Sequence, residues 1–421
     1  MSLDADRAVE ELYRAEWSRI VATLIRLVGD FELAEEAAQE AFAAAVHQWR
    51  AEGIPDSPRA WIVQTARHKA IDRLRRMKRH EESTESYAQW GWTKTVEEPD
   101  YDPEEIPDDR LRLIFTCCHP ALAPKAQVAL TLRELGGLET DEIAGAFLVP
   151  TPTMAQRLVR AKRKIREARI PYVVPGTKEM PERLDAVLTA IYLIFNEGYA
   201  STRGGSQVRA DLCAEAIRLG HLVRSLMLPE APAEATGLLA LMLLHDSRRD
   251  ARTDDAGDLI VLEEQDRARW DGRQIADALP LVAEALRKGP GPYAVQAAIA
   301  AEHCRTERAE DTDWPRILQL YDLLARVAPS PVVLLNRAVA VAMVWGPQAG
   351  LRGLDEIEQN GELSQYHLLY AARADLLRRM GACEEAAAAY ERALELVSNE
   401  SERRFLERRL KEVRERGIGA G

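Results

Sequence analysis

Basic side chains concentrate in two helical stretches of this sequence, and the chemistry that they could perform is nucleic-acid binding. Residues 151–169 hold seven basic side chains against the single acid Glu167. At helical spacing the apolar residues of this stretch fall on one stripe, namely Met154, Leu158, Ala161 and Ile165. Polar and basic residues fall on another face, namely Thr153, Arg157, Arg160 and Lys164. Such a helix presents side chains that hydrogen-bond base edges and pair with phosphates in the major groove.

The second basic stretch, residues 59–79, has eight basic side chains, and its one acid is Asp72. Trp61 and other apolar residues supply a buried side, so the charge lies on the remaining surface, where it attracts phosphates. Gln64 and His68 are polar positions that could meet a base. A solvated face is the alternative. We favour nucleic-acid binding, because helices that serve only solubility usually mix charges of both signs.

The first of these stretches is the second helix of a predicted helix-turn-helix at residues 138–164. Thr140 is the predicted N-cap of the first helix, and acids follow in its first turn, where they complement the helix dipole. Thr151 is the predicted cap of the second helix. Pro152 then occupies its first position, where a missing N–H costs nothing. This arrangement predicts a recognition helix that reads duplex DNA.

The whole chain of 421 residues predicts an all-α protein, because apolar residues recur at helical spacing nearly throughout. Its length suggests about three domains. The formal net charge of -12 is unusual for a nucleic-acid binder, so the charge has to be considered segment by segment. Five cysteines at unpatterned positions predict reduced thiols. No apolar run of membrane-spanning length and no signal peptide is recognisable, which predicts a cytoplasmic protein.

Residues 1–80 are predicted to form a three-helix unit whose second helix has an acidic side. That side carries Glu35, Glu36, Gln39 and Glu40. Taken alone, it is a solvated face or a docking surface, and the solvated face is favoured. Residues 81–109 follow as an acidic linker with eleven acids, one lysine and three prolines. They form either a spacer or a strand-like segment that threads a basic channel of a partner, and residues 110–170 form the second DNA-reading unit.

The chain from Val9 to about Ile170 resembles bacterial extracytoplasmic-function (ECF) sigma factors of the sigma-70 family. Three stretches carry the resemblance, namely AEEAAQEAF at 34–42, WIVQTARHKAIDRLR at 61–75 and EIAGAFLVPTPTMAQRLVRAK at 142–162. They stand in the family's order on either side of a linker. His68 occupies a position where asparagine is usual, Gln156 replaces the usual serine, and Lys162 replaces the usual arginine.

The resemblance implies a role for each motif. Core RNA polymerase would be bound, at the clamp helices of its largest subunit, by Glu35, Glu36, Gln39, Glu40 and Phe42. The promoter −10 element would be contacted by Trp61, Gln64, Arg67, His68, Arg73, Arg75 and Arg76. The −35 element would be contacted by Thr153, Gln156, Arg157, Arg160, Lys162 and Lys164. The polymerase flap is a further expected contact, and under this resemblance the acidic patch is a docking surface.

The remainder of the chain is predicted to be a helical extension at 180–300, followed by TPR-like helical repeats at 313–410. Gly381, Ala386, Tyr390 and Ala393 follow tetratricopeptide spacing, and Gly346 lies 35 positions before Gly381. The earlier copy is expected to be degenerate at Gly350 and Leu351. The extension resembles that of the sigma-factor group numbered forty-two.

No catalytic or metal-binding pattern is recognisable. Cys117-Cys118-His119 lacks a spaced partner pair, so buried thiols are favoured over a zinc site. Glu264, Asp266, His245 and His303 stand at unrelated spacings, which favours structural ion pairs over an active site. We therefore predict no enzyme activity, no cofactor and no metal.

The prediction is an alternative sigma factor that binds core polymerase and promoter DNA, modulated by its C-terminal helical domain. A protein or small-molecule regulator at that domain is a further expected partner. One alternative is a helix-turn-helix repressor or adaptor with a ligand-sensing TPR-like domain. Another makes the C-terminal domain an enzyme or a small-molecule sensor.

Overall fold

The computed structural model describes residues 2–81, 109–147, 149–199, 206–228, 231–254, 258–361, 363–397 and 399–419. The regular elements in these ranges are helices, which confirms the predicted all-α class. The chain divides into two compact units, unit 1 at Met1–Leu193 and unit 2 at Ile194–Gly421. None of the described helices combines the length and the apolar character that crossing a membrane requires.

Unit 1 begins with three helices, α1 (Ser2–Val28), α2 (Phe31–Glu52) and α3 (Pro58–Glu81). Gly29, with a φ of 80°, allows the tight turn between α1 and α2. Asp30 then caps α2, because its side chain accepts a hydrogen bond from the Leu33 N–H at 3.0 Å. Fully buried residues such as Trp17 and Ile62 fill the space between the three helices.

Four shorter helices complete the second half of unit 1. They are α4 (Arg110–Cys117), α5 (Pro124–Leu130), α6 (Thr140–Ala146) and α7 (Thr151–Glu167). One wide π-helical turn, Thr131–Leu135, continues α5 and buries five consecutive residues. The predicted acidic linker lies outside the described residues, apart from its first position, Glu81, which ends α3, and its last position, Asp109. That side chain is buried and pairs with Arg26 on α1 at 2.6 Å.

The predicted helix-turn-helix is present as α6 and α7, but both predicted caps were wrong by one residue. The N-cap of α6 is Glu139, whose N–H donates to the Glu142 carboxylate at 2.7 Å. The N-cap of α7 is Pro150, and Thr151 is already the first helical residue. Helix ends are the least sharply defined part of a helix pattern, and a difference of one residue leaves the two helices themselves as predicted.

Unit 2 contains the rest of α8 (Met180–Tyr199), which starts in unit 1, and two groups of helices. The first group is α9 (Ser206–Leu226), α10 (Ala233–Asp246), α11 (Gly272–Lys288), α12 (Pro292–Cys304) and α13 (Trp314–Val327). Helix α10 is enclosed by its neighbours, and its residues from Ala235 to Leu244 are all buried. Gly237 allows α12 to approach α10, since a Cβ there would lie 2.6 Å from the Ala294 backbone nitrogen.

The second group consists of α14 (Pro331–Trp345), α15 (Pro347–Asn360), α16 (His367–Arg379), α17 (Cys383–Leu396) and α18 (Glu400–Gly419). The predicted repeat residues Ala386, Tyr390 and Ala393 lie in its core, together with Ala374. Gly350 is itself the small residue at the contact of α14 and α15, because a Cβ there would lie 2.6 Å from the Ala342 Cβ. The earlier helix pair is therefore well packed at that point, and its assignment to the tetratricopeptide type stays a prediction.

Candidate nucleic-acid interface

Helix α7 presents one polar face to solvent. Met154, Leu158, Ala161 and Ile165 are buried, as the helical spacing predicted. Thr153, Gln156, Arg160 and Lys164 are exposed, and Arg157 is half-buried. Neither Arg157 nor Arg160 has an acidic partner within the part of the chain that the structure describes. These side chains are free to pair with phosphates or base edges.

Helix α3 carries the second group of predicted residues. Gln64, His68 and Arg73 are exposed, and Arg67 is half-buried. Trp61 is half-buried and packs edge-to-face on Trp49, with ring centres 5.5 Å apart. The backbone of α3 continues through Arg75 and Arg76, whose side chains are outside the described residues.

The acidic side of α2 lies against the basic side of α3. Arg73 pairs with Glu36 at 2.6 Å, and Lys69 pairs with Glu40 at 3.4 Å. These side chains are about half exposed, so each pair is weak and contributes at most about 1 kcal/mol to stability. Gln39 is exposed. Glu36, Gln39 and Glu40 thus form a continuous accessible patch on α2.

Glu35 points to the other side of α2 and is buried. Its Oε1 accepts from the Arg133 Nε at 2.8 Å, and its Oε2 accepts from the Lys162 Nζ. The Lys162 Nζ also lies 2.9 Å from the Glu134 carboxylate, which is fully buried. We call these four residues, Glu35, Arg133, Glu134 and Lys162, the buried ion cluster. It joins α2 to the wide turn after α5 and to α7.

Burial and charge act in opposite directions on this cluster. Burial alone would raise the pKa of Glu35, but Lys162 and Arg133 hold it below its ordinary value. The two carboxylates likewise raise the pKa of Lys162 although burial opposes this. Burial raises the pKa of Glu134 despite the nearby lysine. Arg133 also pairs with the half-exposed Glu139 at 2.6 Å. Each charge of the cluster therefore has a partner of opposite sign, which is the condition for burying charge at tolerable cost.

The cluster changes the surroundings of two predicted site residues. Lys162, expected at the −35 element, faces away from the exposed side of α7 and is 8% exposed. Glu35, expected at the polymerase, is covered by Arg133 and Lys162. Sequence reasoning did not identify Arg133 and Glu134. Part of the signal was present, because Glu35 stands four residues after Phe31 and three before Ala38, both of which are buried.

Phe42, the remaining predicted docking residue, is buried among aromatic side chains. Its ring centre lies 5.2 Å from that of Tyr13 and 6.2 Å from that of Trp17. The Tyr13 hydroxyl donates to Glu139 at 3.0 Å. A cleft of about 520 Å³ opens beside Phe42 between α1, α2 and the segment before α6. Phe42 is thus mostly covered and lines this cleft.

Further contacts hold α7 and the segment after it to the first three helices. Arg166 pairs with Glu32 at 2.6 Å. The Tyr172 hydroxyl donates to the Ala22 carbonyl at 3.0 Å. Cys117 and Cys118 are buried beneath this region, and burial raises the pKa of both thiols. The described residues hold no group of three histidine, cysteine or acidic side chains suited to a metal ion.

Three family models match successive parts of the chain. Residues 12–80 match sigma-70 region 2, and residues 112–165 match sigma-70 region 4. Residues 183–286 match a family of unknown function, DUF6596. The chain therefore contains both sigma-70 regions, in α1–α3 and in α4–α7.

Two relatives extend this similarity. The uncharacterized protein R00370 of Rhizobium meliloti is 42% identical over 393 residues, which are 93% of this chain and 92% of the relative. The probable ECF RNA polymerase sigma factor SigI of Mycobacterium tuberculosis is 29% identical over 163 residues, which are 38% of this chain and 56% of that protein. No solved structure matches the chain.

Proposed function

We propose that this protein is an alternative sigma factor of the ECF type. The chain belongs to the family of the Rhizobium meliloti protein R00370 and contains sigma-70 regions 2 and 4. It binds core RNA polymerase and directs initiation at specific promoters, in the cytoplasm where both are present. It performs no catalysis itself. The observation that carries the proposal is the exposed polar and basic face of α7, which follows the basic helix α3 in the chain.

In this proposal each helix has a positional role. Glu36, Gln39 and Glu40 on α2 dock on the clamp helices of the polymerase. The exposed residues of α3 meet the −10 strand, and Thr153, Gln156, Arg157, Arg160 and Lys164 meet the −35 duplex. Lys162 is left out of the DNA-contacting set, because its ammonium group serves Glu35 and Glu134.

The buried ion cluster adds a step to this mechanism. Region 4 covers Glu35, so a polymerase contact through Glu35 requires region 4 to separate from region 2. That separation breaks the pairs of Glu35 with Arg133 and Lys162 and exposes these groups to water, and their hydration offsets part of the lost pairing. The exposed patch of Glu36, Gln39 and Glu40 is accessible before this step and can make the first contact with the polymerase.

DNA reading is tested by Arg160→Ala in a binding assay with promoter duplex. The variant should bind the duplex about tenfold more weakly. The slope of log affinity against log salt concentration should also be shallower, by the amount that corresponds to about one lost phosphate contact. Arg305→Ala is the control, because it removes the same charge from an exposed residue of unit 2. Equal affinity and salt dependence in both variants would count against DNA reading by α7.

Polymerase docking is tested by promoter-directed transcription with purified bacterial core polymerase and the full chain. Gln39→Ala combined with Glu40→Ala should abolish specific initiation. The matched control is Gln48→Ala with Glu52→Ala, which removes the same residue types from the exposed side of α2 outside the motif. The rival repressor or adaptor function predicts DNA binding without specific initiation in the unmodified chain.

Modulation by the C-terminal helical domain is the second part of the proposal. Arg183 on α8 donates to the Phe115 carbonyl at 2.6 Å, so α8 contributes to unit 1 and should be kept in any truncation. A chain that ends at Tyr199 should differ clearly from the full chain in promoter-directed transcription, in either direction. Equal transcription by both chains would exclude control in cis.

A further inference from the structure

A second group of buried charged side chains lies in unit 2, just beyond the end of α10. Arg248 is 9% exposed. Its Nη2 donates to the Tyr199 hydroxyl at 3.1 Å and to the Nδ1 of His245 at 2.7 Å. Its guanidinium also lies over the ring of Trp270, 5.8 Å from the ring centre. All three partners are neutral groups.

Arg252 is a second arginine that contacts Tyr199. Its guanidinium stacks on the Tyr199 ring at 3.6 Å from the centre, and its Nη1 donates to the Tyr199 carbonyl at 2.6 Å. Phe195 stacks on the same tyrosine with ring centres 5.4 Å apart. Tyr199 therefore connects two guanidinium groups, one at its hydroxyl and one at its ring and backbone.

Neither arginine has a carboxylate partner among the residues that the structure describes. Asp246 and Asp250 are the acids nearest to Arg248 in sequence. Asp246 pairs with Arg249 and accepts from the Gln274 amide at 2.9 Å, and Asp250 is exposed. Arg267 contributes a third positive charge to this region, and its guanidinium lies 5.0 Å from the centre of the Trp270 ring. Its Nη1 and Nη2 groups bond to neutral oxygens of His303, Thr306 and Thr312.

Two histidines of the region have lowered pKa values, in keeping with the positive charges around them. Burial and the nearby Arg248 and Arg252 hold the pKa of His245 well below its ordinary value. Burial, Arg248 and Arg267 lower the pKa of His303 to about 4. The Trp270 indole N–H is buried without an acceptor within the described residues. The arginines keep their positive charge, because arginine does not lose its proton in proteins.

Buried cations are normally paired, since removing a charge from water costs several kcal/mol unless a counter-charge is present. The planar guanidinium fork matches the oxygens of carboxylates and phosphates. We propose that Arg248 and Arg252 form a binding site for a small oxyanion, the phosphate or carboxylate group of a metabolite. The site lies beside Tyr199 and is built by α8 and the segment after α10.

The test is isothermal titration calorimetry with the full chain at constant ionic strength. Inorganic phosphate and succinate are titrated separately, and chloride is the background anion. At least one of the two anions should bind saturably in the calorimeter. In a separate thermal unfolding measurement, the same anion should raise the melting temperature of the protein as its concentration increases. Phosphate alone would identify a phosphate site, succinate alone a carboxylate site, and both a general oxyanion site.

Arg252→Gln tests the residues, because this half-buried side chain can be shortened with less risk to folding than Arg248. The variant should bind the anion about tenfold more weakly. Arg269→Gln removes the same charge from an exposed position nearby and should bind as the unmodified chain does.

The proposal is overturned if neither anion binds the unmodified chain saturably, or if both variants bind equally well. The measurement uses neither polymerase nor DNA. Its outcome is therefore independent of the sigma-factor proposal, and either can fail while the other stands.

Discussion

Both units bury positively charged side chains, but they balance the charge differently. In unit 1, Lys162 lies between the carboxylates of Glu35 and Glu134, and Arg133 bonds to Glu35. In unit 2, Arg248 is buried to a similar degree, and its hydrogen bonds go to neutral groups. The first arrangement has its counter-charges within the chain, whereas Arg248 has no carboxylate partner among the residues that the structure describes.

This difference separates two uses of buried charge. A balanced cluster connects segments that are far apart in sequence, since Glu35 pairs across 98 and 127 residues. Removing one member leaves the others uncompensated, so the cluster stabilises one arrangement of the helices. An unbalanced group has an unfavourable charge that a ligand of opposite sign can neutralise. Substitutions that remove a cation should therefore have opposite effects in the two units.

The largest effect is expected from Lys162→Met in unit 1. The substitution leaves Glu35 and Glu134 buried without their shared cation, so unit 1 should lose about 3–5 kcal/mol of stability. Urea denaturation of the full chain, monitored by hydrogen exchange in peptides from unit 1, measures this loss.

Lys164→Met is the control, because Lys164 is exposed on the same helix. It should change stability by less than about 0.5 kcal/mol. Adding Glu134→Leu to Lys162→Met removes one buried carboxylate and should restore part of the stability. Equal midpoints for the two single variants would show that the cluster is not a stabilising contact.

The sequence predicted the helices of unit 1 but did not predict the buried ion cluster, and the reasons for this difference can be identified. Local spacing and caps were sufficient for α6 and α7, because a helix pattern depends on neighbouring residues. Lys162 was assigned to DNA through the family motif, although it stands four residues after the buried Leu158. That spacing already indicated the buried side of the helix.

What the sequence could not supply is the identity of distant partners. Nothing in the spacing around Glu35 indicates that Arg133 and Lys162 will reach it, because those contacts depend on how the helices pack. The same holds in unit 2. His245 and His303 showed no recognisable pattern, and their common neighbour Arg248 became evident only from the fold.

The second prediction concerns pH, to which the two units should respond differently. His303 has a folded pKa of about 4, lowered by burial, Arg248 and Arg267, while an unfolded histidine titrates near 6.5. Protons therefore bind the unfolded state first as pH falls. Stability is full above about pH 6.5 and is lost toward pH 4. Unit 2 should lose about 2 kcal/mol through His303 between pH 7 and pH 5.

Unit 1 should lose less over that range. Glu35 has a lowered pKa, so its contribution to the stability of unit 1 is lost only below the ordinary glutamate value. Among the described histidines of unit 1, His119 has a pKa that is lowered by burial and by Arg183. Hydrogen exchange of peptides from each unit at pH 7 and pH 5, corrected for intrinsic exchange, measures the contrast. His303→Gln should reduce the loss in unit 2, and His47→Gln, at an exposed position, should not. A decline of equal size in both units would contradict the comparison.

The smallest effect is expected from Arg248→Met, and it has the opposite sign to that of Lys162→Met. Methionine can fill the space of the arginine stem and contact Trp270, while the uncompensated charge disappears. The Tyr199 hydroxyl and His245 each lose one hydrogen bond from the guanidinium, which offsets part of the gain. In buffer without phosphate or carboxylate, unit 2 should become more stable by about 1 kcal/mol. Hydrogen exchange of peptides around Tyr199 and Trp270 measures the change.

The added anion completes this experiment. It should stabilise the unmodified chain and leave Arg248→Met unchanged, so the order of stability reverses once the anion is in excess over its dissociation constant. Arg269→Gln should follow the unmodified chain in both buffers, because Arg269 is exposed. If Arg248→Met instead destabilises unit 2 by several kcal/mol in both buffers, as Lys162→Met is expected to do in unit 1, then Arg248 is a structural residue and its neutral partners are sufficient for it.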